Sequence, residues 1–372
     1  MLNISEKRLV IACGGTGGHL FPGIAVAELW TRQGGEVILL ISEKQIDALA
    51  AEGYDHLRFE RMSAMAMPRL LSLKMPTFLL SMMRSFFACR RLLREFRADA
   101  VLGMGGFTST APLVAGRVGG LPTFIHESNS IPGKANRLNA KFAIAVLVGF
   151  ARCAPYFGSG KRVEVVGTPL RPSVAKRPSR AEALAWFGLE AGRKTVMVMG
   201  GSQGARRLNE LVAKSLPQLA ASGIQILHIS GPSDYELVRP AYEACPEAGK
   251  LRDFCAEIQY AYASADLAIC RSGASTLTEL AYYEMPSVLI PYPFSAEDHQ
   301  TTNAEIFSKP GAAELWRQED LNEENFSSKI IALIIDDKRL DEMKRAAAEL
   351  AIPDASDRVC QVIAESISGD PV

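Results

Sequence analysis

At 372 residues, 48% of them apolar and 22% charged, the chain has the balance of a folded protein and the length for about two domains, each with its own core. Its 41 basic and 41 acidic side chains cancel, which excludes a global field for nucleic acid; attraction to a charged partner has to come from a local patch. The seven cysteines stand apart with no Cys-x-x-Cys pair, which lacks zinc-site spacing and argues for reduced thiols over a disulfide framework.

Residues 8–13 read as a buried strand, a continuous apolar run that ends at glycine. The run is too short for a signal-peptide core and leads into no cleavage site, so no leader is expected. From Pro22 the pattern turns helical, with proline suited to a first helical position. Residues 37–41 are a second strand and 100–102, before Gly103, a third. A fourth, 123–125, runs into His126-Glu127-Ser128-Asn129, and 143–148 and 163–166 follow. This alternation of strand and helix predicts a doubly wound parallel sheet. Residues 171–180, rich in proline and charge, read as a linker. A helix then precedes 195–199, which repeats the strand–glycine loop–helix opening of the first half, and 224–229, 267–270 and 288–290 are later strands. The tail, 340–368, reads as helices interrupted near Pro353. The longest other apolar stretch, 142–151, is about half of the roughly 20 residues a membrane span needs, so the chain is not expected to cross a bilayer.

Residues 62–97 depart from the pattern. Met62, Met65, Met67, Met75, Met82 and Met83 alternate with leucine and phenylalanine, and Arg69, Lys74, Arg84, Arg90, Arg91, Arg94 and Arg97 are threaded among them. Methionine makes an adaptable apolar surface, and basic residues beside exposed apolar ones suit an anionic leaflet. A core helix pair with solvated arginines fits the same residues.

Three glycine-rich loops organise the rest: Cys13-Gly14-Gly15-Thr16-Gly17-Gly18-His19, Gly200-Gly201-Ser202-Gln203-Gly204-Ala205 and Arg271-Ser272-Gly273-Ala274-Ser275. A strand that passes through such a loop into a helix directs backbone N–H groups and a positive dipole end at one spot, a geometry suited to phosphate. One loop in the first half and two in the second predict two nucleotide-binding-type sheets facing a cleft. The first loop is not a dinucleotide fingerprint, because counting from Gly15 puts Leu20 where the third glycine belongs, and a helix starting near Pro22 leaves the loop too long. The second has neither the lysine nor the spacing of an NTPase phosphate loop, which disfavours ATP hydrolysis.

Together with Gly105-Gly106-Phe107-Thr108-Ser109, His126-Glu127-Ser128-Asn129, Asn136-Arg137, Val166-Gly167-Thr168-Pro169-Leu170-Arg171, the run from Cys270 to Glu279, Asp298-His299-Gln300 and Asn303-Ala304, these loops fall in a characteristic order. From about Arg8 to beyond Ala304 the chain resembles the MurG family, glycosyltransferase family 28, of two-domain α/β GT-B fold. The resemblance implies an N-terminal acceptor and membrane-docking domain over 1–168, onto which helix 355–372 packs back, and a UDP-N-acetylglucosamine domain over 169–354. It also implies transfer of N-acetylglucosamine from UDP-N-acetylglucosamine to lipid I, with inversion, to give lipid II for peptidoglycan.

The chemistry of the residues agrees with that transfer. Departure of UDP develops negative charge on a diphosphate, and the sequence contains no Asp-x-Asp with which many such enzymes hold a metal. Loop amides, helix N-termini and a guanidinium remain as preorganised donors, so no metal and no cofactor are expected. Arg171, after Pro169 at the domain junction, can bond phosphate bidentately. The resemblance places Thr16, Gly17 and Gly18 at the acceptor diphosphate or the transferred sugar, and Asn129 at the sugar. It places Ser202 at a phosphate, Glu279 at the donor ribose, Gln300 at the donor-sugar hydroxyls, and the uracil near residues 254–258, where Cys255 replaces an expected isoleucine. Ser202 could instead cap a helix, and Glu279, three residues after Thr276, could close a capping box. His19 is the candidate base, since imidazole titrates near neutral pH, or else it orders its loop. His126 and Glu127 read as a buried, hydrogen-bonded pair ordering theirs, and Phe107 lacks the hydroxyl of the tyrosine common at its position in the family.

A lipid acceptor favours the membrane-surface reading of residues 62–97. The expected partners are UDP-N-acetylglucosamine, lipid I, the anionic inner leaflet and other cell-wall synthesis proteins, with no nucleic acid. The expected location is peripheral, on the cytoplasmic face of the inner membrane. Rival readings are a glycosyltransferase with a soluble natural-product acceptor, which needs no basic methionine-rich face, and a UDP-N-acetylglucosamine 2-epimerase, which needs more carboxylates for elimination. A non-catalytic membrane anchor would not need the donor motifs.

Overall fold

The run Leu9–Ala12 is apolar at every position, and a strand of that kind is stable only with both faces covered. In the computed structural model, which describes residues 4–14, 17–42, 53–62, 75–200 and 205–368, it lies at the centre of a parallel sheet. The strands of this sheet are β1 (Arg8–Ala12), β2 (Glu36–Ser42), β3 (Arg58–Met62), β4 (Ala100–Gly103), β5 (Thr123–Glu127), β6 (Ala145–Val148) and β7 (Arg162–Val165). Among the described residues their order is β3-β2-β1-β4-β5-β6-β7, every pair parallel. Leu9 and Ile11 face one layer, with Ile24 and Trp30 of the helix Gly17–Arg32 and Val359 and Ile363 of the helix Ala355–Ser368. Val10 and Ala12 face the other, with Cys89 and Leu93 of the helix Met75–Phe96. Successive residues of β1 thus serve opposite layers, as a pleated strand requires.

A second sheet repeats the plan with β8 (Lys194–Met199), β9 (Ile224–Ile229), β10 (Gly249–Arg252), β11 (Leu267–Cys270), β12 (Ser287–Leu289) and β13 (Ala313–Leu315). Its order is β10-β9-β8-β11-β12-β13, again all parallel. The helix Arg206–Ala221 packs Leu208, Leu211, Val212 and Leu216 against Val196, Val198 and Ile226. The chain divides into two compact units, Met1–Arg171 with Pro353–Val372, and Pro172–Ile352. The proline- and charge-rich stretch after Arg171 carries a short helix, Pro172–Ala175, and Ser179 opens the next helix, Arg180–Phe187, with a capping box.

In each sheet the strand order reverses once, between β1 and β4 and between β8 and β11. Ligands of open α/β sheets bind outside the carboxyl ends of the strands at such a switch point. The first loop leaves β1, the Gly105-Gly106 loop follows β4, the second loop leaves β8 and the third leaves β11.

Several expectations need correction. The first helix begins at Gly17, with Pro22 inside it, so Gly17 and Gly18 are its opening turn and the loop is shorter than expected. The absent third glycine is then the remaining objection to a dinucleotide site. Strands β3, β10 and β13 were not foreseen, and 143–148, 163–166 and 288–290 shrink or shift to Ala145–Val148, Arg162–Val165 and Ser287–Leu289. Of residues 62–97, 63–74 lie outside the described residues and 75–96 form one helix. It buries Phe78, Cys89 and Leu93 but leaves Leu79, Leu80, Met83 and Phe87 about half exposed or more, which a core helix does not do.

Candidate active site

In the N-terminal unit the first loop is set by a close backbone approach. A side chain on Gly14 would place its Cβ 2.3 Å from the Ser42 amide nitrogen, so only glycine lets the end of β1 pass the end of β2. Thr108 Oγ1 donates to Gly14 O at 2.7 Å, and Ser109 Oγ stands 3.1 Å from Ala12 O and accepts the Gly105 N–H at 3.3 Å. These hydroxyls tie the loop after β4 to the loop after β1. Gly105 has φ +124°, and a Cβ there would lie 2.8 Å from His19 Nε2. The His19 imidazole therefore rests on the Gly105-Gly106 backbone, half-buried at the switch point.

His126 is fully buried and its Nε2 lies 2.8 Å from Gly167 O, which as a carbonyl accepts and so assigns the ring proton to Nε2. Burial pushes its pKa down, keeping it neutral. Glu127 Oε1 accepts from the Asn129 N–H (2.9 Å) and Asn129 Nδ2 (3.1 Å), and Oε2 from the Gly133 N–H (3.1 Å) and Asn136 Nδ2 (2.8 Å). Four donors on one carboxylate fix the loop and hold Asn129 in place. The side chains of His126 and Glu127 are not bonded to each other; Asn136 Nδ2 joins the two residues, donating to His126 O at 3.1 Å as well as to Glu127 Oε2.

Arg171 closes the N-terminal unit, its guanidinium carbon 4.5 Å above the Phe21 ring. Phe21 in turn flanks Gly17, where a Cβ would meet the ring at 3.3 Å. The arginine therefore lies over the opening turn of the first helix. Thr16 lies outside the described residues.

In the C-terminal unit the loop after β11 opens the helix Ala274–Tyr282 with Gly273 as its N-cap. Thr276 and Glu279 therefore lie inside the helix, and the capping-box alternative for Glu279 is excluded. Glu279 is 7% exposed, and its Oε2 accepts from the Tyr262 hydroxyl at 2.8 Å. Gln300 is half-buried in the first turn of the helix His299–Ser308. Its Oε1 accepts the Tyr292 N–H at 2.9 Å and its backbone carbonyl accepts Ser272 Oγ at 2.7 Å, while Asn303 Nδ2 donates to Ser272 O at 3.1 Å. Ser272 and Gln300 are thereby joined at the loop after β11, and Glu279 lies on the helix that this loop opens. Ser202 and its loop, 201–204, lie outside the described residues; the helix that follows has Ala205 at its N-cap. Phe254 is exposed and Cys255 half-exposed in the loop before the helix Ile258–Ser264.

Arg271 was not singled out in the sequence, yet it binds this site together. Its guanidinium donates to Ile290 O (3.0 Å), Pro291 O (3.1 Å) and Gln318 Oε1 (2.7 Å), joining the loops after β11 and β12, and burial lowers its pKa. An arginine directly after a buried strand was the available signal. Among the described residues no group of three or more His, Cys, Asp or Glu side chains could hold a metal ion.

Family models match both units: the glycosyltransferase family 28 N-terminal domain over residues 9–148 and the C-terminal domain over 195–359. The chain belongs to glycosyltransferase family 28. A curated member from Geobacter sulfurreducens is 38% identical over 360 residues, covering 95% of this chain and 96% of its own. It is named UDP-N-acetylglucosamine–N-acetylmuramyl-(pentapeptide) pyrophosphoryl-undecaprenol N-acetylglucosamine transferase. The crystal structure of MurG from Acinetobacter baumannii superimposes with TM-score 0.76 at 26% identity, covering 96% of this chain and 99% of that one. The calicheamicin glycosyltransferase, 15% identical, matches with TM-score 0.66 over 98% of this chain and 99% of its own, a likeness of fold alone. This family 28 chain has the α/β GT-B fold, two doubly wound parallel-sheet domains.

Proposed function

We infer that this chain is an inverting glycosyltransferase that moves N-acetylglucosamine from UDP-N-acetylglucosamine to lipid I, giving lipid II for peptidoglycan. What carries this reading is the Ser272–Gln300 bond at the loop after β11, with the buried Glu279 on the helix that loop opens, in a chain whose 38% identical relative is named for that transfer. The C-terminal unit takes the donor: the glycine loop with Ser202 at the diphosphate, the buried Glu279 carboxylate at the ribose hydroxyls, and Gln300 at the sugar. The N-terminal unit takes the acceptor, with Thr16, Gly17, Gly18 and Asn129 around its diphosphate and sugar. His19, resting on Gly105, takes the proton of the attacking hydroxyl. Arg171 and the loop amides meet the charge that develops on the departing UDP, and one such donor contributes about 10²–10³ in rate. Because the sequence has no Asp-x-Asp, these donors serve in place of a metal.

The helix Met75–Phe96 docks the enzyme on an anionic leaflet. Leu79, Leu80, Met83 and Phe87 are exposed along it, beside exposed Arg84, Arg90, Arg91 and Arg94. Among the described residues no helix is long and apolar enough to cross a membrane. On this reading the enzyme works as a peripheral protein on the cytoplasmic face, where its lipid acceptor is presented. A glycosyltransferase for soluble acceptors has no use for this face.

The test is transfer of labelled N-acetylglucosamine to a short-chain lipid I analogue, with and without EDTA. Transfer that persists in chelator is expected. Absence of transfer overturns the activity, and loss on chelation with recovery on adding a divalent ion overturns the metal-free chemistry.

A further inference from the structure

The helix that carries Gln300 is entered in an unusual way. Glu297 and Asp298 both adopt the left-handed conformation, at φ 53°, ψ 25° and φ 52°, ψ 33°. Two consecutive non-glycine residues there are strained, and such strain persists only where the surroundings over-determine it. Asp298 occupies the N-cap position, where an aspartate ordinarily has extended backbone and accepts an N–H of the first turn. It does neither. Its Oδ1 accepts from the Thr301 hydroxyl at 2.7 Å, and no side-chain cap bond forms.

The turn folds the preceding loop back on the helix. The Asp298 N–H donates to Ser295 O at 3.0 Å, His299 Nδ1 lies 2.8 Å from Ala296 O, and the Gln300 N–H reaches Ser295 Oγ at 3.4 Å. That return brings the Tyr292 N–H to Gln300 Oε1 and the Ser272 hydroxyl to Gln300 O. A backbone N–H can face only the oxygen of a carboxamide, so the orientation of Gln300 is set and its Nε2 donors form the opposite end of the group. An extended N-cap at Asp298 would send the loop elsewhere and leave the amide unoriented.

We propose that the left-handed Glu297–Asp298 turn, locked by Thr301, orients the Gln300 carboxamide to donate to a hydroxyl of the donor sugar. Asp298 is thus a positioning residue that acts through Gln300. The proposal rests on the reading of Gln300 as a donor-sugar contact.

A double-mutant cycle tests it, with KM for UDP-N-acetylglucosamine and kcat from the transfer assay and Kd for UDP, which carries no sugar, from calorimetry. A β-branched residue resists the left-handed region, so Asp298→Val is expected to raise KM for UDP-N-acetylglucosamine about tenfold, the scale of one lost hydrogen bond, with UDP affinity within about twofold. Asp298→Asn tolerates that backbone and keeps an acceptor for Thr301, so it should recover KM to within about threefold. In a Gln300→Ala background the Asp298→Val effect should shrink to about twofold or less, because residues acting as one unit are not additive. Additive losses, or a parallel fall in UDP affinity, overturn the proposal. Should Asp298→Val fail to fold, Thr301→Val, which removes the 2.7 Å bond, carries the same cycle. A wild-type protein that neither binds UDP nor transfers the sugar would overturn the glycosyltransferase reading itself, a result distinct from an additive cycle in an active enzyme.

Discussion

Alanine at Gly105 separates the two roles open to His19. At φ +124° an L-residue is strained by about 1–3 kcal/mol, and the new methyl carbon would stand 2.8 Å from His19 Nε2 and 2.9 Å from its Cδ2. Both distances are well inside contact, so the imidazole has to leave. Gly106 supplies the control: its φ of +73° costs alanine comparable backbone strain, but the nearest ring atom, His19 Cε1, would be 3.7 Å from the added Cβ. Both variants should lose stability, by about 2–4 °C in Tm for each kcal/mol in a unit of this size. If His19 is the base, Gly105→Ala should also lose about 10²–10⁴ in kcat with KM for UDP-N-acetylglucosamine little changed, while Gly106→Ala retains most of its turnover. The assay is turnover against pH for both variants and for His19→Gln. The acidic limb should vanish in His19→Gln and in Gly105→Ala. A Gly105→Ala enzyme with wild-type kcat and an intact acidic limb would refute the assignment of His19 as base.

Charge reversal of Arg84, Arg90 and Arg91 to glutamate should weaken binding to anionic vesicles while calorimetry shows UDP binding unchanged; unaltered vesicle binding would rule out this helix as the docking face. Buried His228 offers a stability test. Its Nε2 lies 3.0 Å from Asn209 Oδ1, and burial pushes its pKa down to about 3. The unfolded chain, titrating near 6.5, binds the proton first. Its contribution is therefore complete above about pH 6.5 and is lost as pH falls towards 3, with a slope of up to about 1.4 kcal/mol per pH unit. His228→Gln should flatten the dependence of urea-unfolding stability between pH 6 and 4 by up to one proton, and identical slopes would show that this histidine does not sense acid.

The sequence by itself determined the interior strands and the loops that follow them. β1, β2, β4, β5, β8, β9 and β11 are legible because a strand covered on both faces must be apolar at nearly every position, a property written into consecutive residues. Three of the four edges escaped: β3, β10 and β13 each border a sheet and read Arg-Phe-Glu-Arg-Met, Gly-Lys-Leu-Arg and Ala-Glu-Leu, whereas the fourth, β7, is legible within one residue of its bounds. An edge strand has a single neighbour and partial cover, so its composition resembles a loop, and only pairing with a formed sheet makes it a strand. The same division runs through the site. Glycines, His19, Glu279 and Gln300 stand out in the sequence, but the Tyr262 hydroxyl on Glu279, the Gly105 backbone under His19 and the Arg271 bridge join residues far apart in the chain. Tertiary structure alone decided those partners, because long-range hydrogen bonds depend on strand order, which local periodicity does not carry.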